Sequence, residues 1–134
     1  MLSISLGDLR LFLHVCGAIV WVGGQMVWTL LLPVLRPLGG ETVRAVARRL
    51  SPVLWGAFAV LVATGAWNLA AVDMSTKTSA YQTTLALKLG VVVISGGAAF
   101  VHTRVATAHA RGIWGAVSGL TALAAVLLGV VLAG

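Results

Sequence analysis

The chain has 134 residues, 60% of them hydrophobic and only 9% charged, with a formal net charge of +6. A soluble domain carries about 25% charged residues, so this composition excludes an ordinary soluble enzyme and makes the lipid bilayer the expected surroundings. The arginines gather at the ends of apolar runs, where positive charge orients a membrane protein, so the basic balance does not indicate nucleic acid; the single cysteine, Cys16, excludes an internal disulfide and any multi-cysteine metal site.

The first apolar run, residues 11–35, contains no Asp, Glu, Lys or Arg. With further runs at about 50–72, 84–103 and 113–132 it predicts four transmembrane helices. Each is ~20 residues or longer, enough to cross ~30 Å of hydrocarbon at ~1.5 Å per residue. A barrel would need many short alternating strands, and these runs are continuously apolar. The first run is too long for a cleaved signal peptide and lacks a preceding basic region, so it reads as a span. Pro33 and Pro37 mark the end of the first helix, and Gly39-Gly40 break the chain after it. The stretch 41–50 carries Arg44, Arg48 and Arg49 beside apolar Val43, Val46, Ala47 and Leu50. It reads as an interfacial amphipathic helix or as an extension of the second span. Pro52 is expected near the start of the second helix, where a missing amide proton is tolerated.

Arg36, Arg44, Arg48, Arg49, Arg104 and Arg111 fall on one side of the membrane; Arg10 and Lys77, offset by Asp8 and Asp73, fall on the other. The positive-inside rule puts the arginine-rich side in the cytoplasm and both termini on the extracytoplasmic side. The expected fold is all-α: an integral membrane four-helix antiparallel bundle, one domain over residues 1–134, in a bacterial cytoplasmic membrane. Glycines in the spans, among them Gly17, Gly24, Gly65 and the pair Gly115 and Gly119, allow close helix approach within the bundle or across a homodimer.

The polar residues inside the spans are few, and His14 leads them. An imidazole in hydrocarbon costs free energy unless something uses it. Counting from the outer end of each helix, His14, Asn68 and Lys88 lie about one turn in, with Thr64 one turn below Asn68 on the same stripe. Trp21 and Trp28 follow His14 at seven-residue spacing on one face, and Trp67 adjoins Asn68. An imidazole, an amine, an amide and large aromatics beneath the outer surface form a candidate pocket for a metal ion or a flat ring system. His14, Trp21, Asn68 and Lys88 are therefore the candidate cofactor-binding residues. Met74 and Met1 offer soft sulfur on the outer side, which makes His14 and Met74 candidate copper ligands. Cys16 lies on a different face from His14 and reads as a small filler, and Met26 reads as core packing. His102 and His109, beside Arg104 and Arg111, read as interfacial polar residues of the cytoplasmic side. The only acids are Asp8, Glu41 and Asp73. No carboxylate pair therefore lies in the membrane, no phosphate-binding glycine loop follows a strand, and no Ser-His-Asp set forms at one depth.

Leu13-His14, Trp21-Val22-Gly23-Gly24, the closing Pro33 and Arg49 before Ser51 resemble the membrane domain of the CopD copper-resistance family. So do Thr64-Gly65 with Trp67-Asn68, and Leu87-Lys88-Leu89 at the start of the third span. The resemblance covers roughly the first three helices and implies an outer-leaflet copper site serving copper uptake or homeostasis. A related pattern occurs in the HemJ-type protoporphyrinogen oxidases, small haem b membrane proteins in which a first-helix histidine precedes a Trp-x-Gly-Gly-like stretch and a lysine opens the third helix. That similarity implies His14 as an axial haem ligand and Lys88 as its functional partner.

Three functions fit these residues. Copper predicts a neutral His14 with soft sulfur from Met74. Haem b predicts one imidazole at the iron, tryptophans and leucines against the ring and a cation near the propionates, in a haem-dependent membrane oxidoreductase. A cofactor-free subunit or assembly factor of a larger membrane complex predicts only a helix-to-helix hydrogen bond from His14.

Overall fold

A computed structural model describes residues 3–134. Four long helices follow one another: α1 (Leu6–Leu35), α2 (Gly40–Ala70), α3 (Ser79–Arg104) and α4 (Ala108–Ala133), with short 3-10 turns at Arg36–Leu38 and Met74–Thr76. Among the described residues there is no strand. Each long helix is long and apolar enough to cross a membrane.

Three of the helices begin about one turn before the apolar run that predicts them, and in each case a side-chain oxygen explains the extra turn. Ser5 and Asp8 form a reciprocal capping box at α1: Ser5 Oγ accepts from the Asp8 amide at 3.1 Å, and Asp8 Oδ2 accepts from the Ser5 amide at 2.9 Å. Thr78 caps α3 by accepting from the Tyr81 amide, and Thr107 caps α4 by accepting from the Ala110 amide, both at 3.2 Å.

α1 ends at Leu35 as expected, with Pro33 in its last turn and Pro37 in the 3-10 turn beyond it, but the expectation for Pro52 needs correction. Gly39, at φ +102°, supplies the backbone reversal that an L side chain rarely allows, and α2 starts directly after it. Residues 41–50 are thus an extension of α2. Pro52 sits well inside that helix, about three turns from its start at ~3.6 residues per turn. It removes the amide that would bond the Arg48 carbonyl, an omission that transmembrane helices tolerate.

The chain divides into two compact units, one ending at Val72 and one running from Asp73 to Gly134. Each is an antiparallel pair of helices with a seam of heptad character. In the first unit Arg10, His14, Gly17, Trp21 and Gly24 alternate steps of four and three along α1. They meet Trp67, Thr64, Leu61, Phe58 and Leu54 in reverse order on α2. Such stepping keeps one stripe facing the partner helix over several turns. At Gly17 an added Cβ would lie 3.0 Å from Leu61 Cγ and 3.1 Å from the Ala57 carbonyl oxygen, so the helix backbones approach closely there. At Gly24 it would overlap the Leu54 side chain.

In the second unit Lys88, Ser95 and His102 recur every seven residues on α3. They face Gly129, Ser118 and Gly115 on α4. Ser95 donates to the Ser118 carbonyl at 2.9 Å, and both serines are 1% exposed. Apart from Leu54 and Leu61, the named seam positions are small, polar or aromatic, while Leu30, Val93 and Leu120 face outward. This is the reverse of a soluble protein's distribution and suits a chain surrounded by lipid. Met26 does not pack in the core as expected: two positions off the α1 seam, it is 53% exposed.

Candidate functional site

His14 stands half-buried on the α1 seam, and α2 brings Thr64 and Gly65 opposite it. Its Nδ1 lies 2.9 Å from Thr64 Oγ1. The hydroxyl proton of Thr64 is directed at the Val60 carbonyl, 2.6 Å away, and a carbonyl can only accept. Oγ1 therefore accepts from Nδ1–H, which makes Nε2 the basic nitrogen of the neutral ring. Ring carbon Cε1 rests over Gly65, where an added Cβ would come within 3.4 Å. A glycine at 65 gives the imidazole its space, and a threonine at 64 gives it its orientation. Thr64 itself is 5% exposed.

Two turns deeper on the same stripe, Trp21 is buried in an aromatic cluster of the first unit, with ring centroids 4.6 Å from Phe58 and 5.6 Å from Trp55. Asn68 follows Thr64 by one turn of α2 and is half-buried. Trp28, two turns beyond Trp21, borders an open apolar groove shared with Leu31, Leu50 and Val53.

Sequence reading missed Arg10. It precedes His14 by four residues, and its guanidinium carbon lies 5.8 Å from the centre of the Trp67 ring. The i, i+4 spacing of Arg10 and His14 was the available signal. It was obscured because a basic residue at the end of an apolar run ordinarily serves only to orient the span.

Lys88 and Met74 belong to the second unit. Lys88 is half-buried on the α3 seam, and a Cβ at Gly129 would lie 3.1 Å from its Nζ. Met74 opens the short turn after Asp73, and its carbonyl accepts from Gln82 Nε2 at 3.0 Å. His102 bridges the helices of its own unit: Nδ1–H donates to the Arg111 carbonyl at 2.7 Å, and the ring lies against Gly115. Gly115 is thereby used within the chain. His109 is exposed. Met1 lies outside the described residues.

The two cofactors make different demands on the donor set. Among the described residues no three His, Cys, Asp or Glu side chains gather as a metal cluster. In the first unit, Cys16 lies off the seam and Met26 faces outward. Copper(I) takes about two or three nitrogen or sulfur ligands, and an imidazole can be one of them. Haem iron asks for as little as one axial imidazole, because the porphyrin brings the remaining nitrogens, and it favours an imidazole whose other N–H is held by a hydrogen bond. His14 with Thr64 meets that requirement. Compared with protein-family models, curated proteins and solved structures, the chain has no match in any of the three.

Proposed function

We propose that this chain is a four-span protein of a bacterial cytoplasmic membrane that binds haem b in the outer half of the bilayer, with His14 as axial ligand. In this reading the spans form an antiparallel bundle, with the arginines of residues 36–49 and 104–111 in the cytoplasm and both termini outside. The observation that carries it is the 2.9 Å bond between His14 Nδ1 and Thr64 Oγ1, which orients an imidazole on the α1 seam. The resemblance to HemJ-type oxidases supports the same ligand. Haem b supplies one-electron redox chemistry when bound, and the implied activity is that of a membrane oxidoreductase. Thr64 holds the ring, Gly65 leaves room for it, and the Trp21–Trp55–Phe58 cluster keeps the seam rigid below it.

Copper binding is the second reading, favoured by the CopD-like residues around His14, Trp21-Val22-Gly23-Gly24 and Lys88. It calls on Met74 for sulfur.

Purified protein separates the readings. Haem b predicts a Soret band and extractable porphyrin, both lost in His14→Ala. Copper predicts colourless protein that takes up copper in proportion to intact His14. If His14→Ala changes neither bound porphyrin nor bound copper, the hydrogen bond to Thr64 is structural and both readings fail.

A further inference from the structure

The outer end of the first unit carries a cation, Arg10, that makes no ion pair with a carboxylate among the described residues. A guanidinium stays protonated at any physiological pH. The described acids are committed elsewhere: Asp8 to the Ser5 cap at 2.7 Å and 2.9 Å, Glu41 to Arg44 and Arg48 at 2.9 Å and 3.1 Å, and Asp73 to Ser75 at 2.6 Å and 3.0 Å. Arg10 Nε is moreover a buried side-chain nitrogen without a hydrogen-bond partner, and among the described residues it is alone in this. A buried N–H left unmade costs free energy, and one on a charged group costs more. The face of Trp67 holds the guanidinium in place without satisfying its N–H groups.

Position adds to this. Arg10 and His14 share a face of α1, separated by four residues and hence ~6 Å along the axis at ~1.5 Å per residue. Arg10 is on the outward side. A porphyrin whose iron sits at His14 carries its two carboxylates at one edge, and that edge is most stable toward the aqueous surface. A planar fork of N–H donors matches a carboxylate in both charge and shape.

We propose that Arg10 is a carboxylate anchor, seated on Trp67, that takes a propionate of the porphyrin ligated by His14. This rests on the haem reading above and adds a residue and a ligand group to it. Apoprotein of the full chain, in detergent, is titrated with haem b and with haem b dimethyl ester, following the Soret band. Wild type is expected to bind haem b about tenfold more tightly than the ester, the scale of one charge-assisted hydrogen bond. Arg10→Gln erases that preference while leaving ester affinity unchanged, which also shows that the variant is folded. Arg10→Lys retains part of the preference, because charge survives but the fork does not.

If Arg10→Gln keeps the full preference, or weakens both ligands equally, Arg10 is not the anchor. Loss of both ligands in His14→Ala would in that case still uphold the haem reading. If wild type binds neither ligand, the haem reading fails and the anchor fails with it.

Discussion

Replacing Thr64 by valine keeps the side chain's shape and deletes the one oxygen that orients His14. The imidazole then keeps a donor, Nδ1–H, whose 2.9 Å acceptor is gone. A buried donor deprived of its acceptor costs about 1–3 kcal/mol in protein interiors. Side-chain hydrogen bonds between membrane helices average only ~0.6 kcal/mol and reach ~1.7 kcal/mol. Thr64 is 5% exposed, which leaves little water to take over the bond, so the upper part of the membrane range applies, about 1–1.7 kcal/mol. The Val60 carbonyl loses a second donor and keeps its place in the helix, so it adds little. In His14→Ala the same valine substitution should cost almost nothing, giving a coupling energy of about 1 kcal/mol, or roughly fivefold in the folding equilibrium. Unfolding in mixed micelles, followed by tryptophan fluorescence, measures all four corners of that cycle; Trp21, buried against Phe58 and Trp55, reports on the seam directly. Haem affinity provides an independent readout, because loss of an outer-shell partner typically lowers ligand affinity 10–100-fold. If the two stability changes add within ~0.3–0.5 kcal/mol, the imidazole and hydroxyl are not coupled and the assignment of Nε2 as the basic nitrogen fails.

Two further outcomes test the seam and the loop. Gly17 and Gly23 both gain up to ~1 kcal/mol of helix preference on substitution by alanine. At Gly23 the new methyl meets nothing within 4 Å, whereas at Gly17 it presses on Leu61 and the Ala57 backbone. Gly17→Ala should therefore be less stable than Gly23→Ala by about 1–3 kcal/mol, the usual cost of overpacking, and equal stabilities would remove Gly17 from the helix contact. Asp73, in the turn between α2 and α3, has its carboxyl pKa lowered chiefly by the hydroxyl of Ser75 and then by the Ser75 amide. Because the folded value lies below the unfolded one, the contribution is full at neutral pH and disappears as acid protonates the carboxylate, below about pH 4. A carboxyl carbon NMR titration should show its midpoint rising in Ser75→Ala; an unchanged midpoint would mean that the turn does not hold the carboxylate.

How much of this was readable beforehand depends on what kind of signal each feature leaves. Hydropathy located all four helices, since runs of Leu, Val, Ile and Ala are visible without any knowledge of packing. It missed the first turns of α1, α3 and α4 because those turns are polar and are set by Ser5, Thr78 and Thr107. The caps were present as letters but carry no hydropathic weight. Pro52 misled for a related reason: the apolar run begins near residue 50, so the proline looked initial, while the helix had already started behind Gly39. The seam is the more instructive case. The spacing of His14, Trp21 and Trp28 disclosed one of its rows. The other row is Arg10, Gly17 and Gly24, and two of those three have no side chain with which to announce a face. A glycine in a seam is defined by what its partner places there, such as the His14 ring over Gly65, the Lys88 amine at Gly129 and the His102 ring at Gly115. Depth along a helix can be counted from sequence at ~1.5 Å per residue. Rotation about its axis cannot, until the partner helix is known. Sequence counting put Asn68 at the level of His14 and Thr64 one turn deeper, whereas it is Thr64 that meets Nδ1; Arg10 was counted as a charge although its place one turn above the imidazole makes it a candidate ligand-binding group.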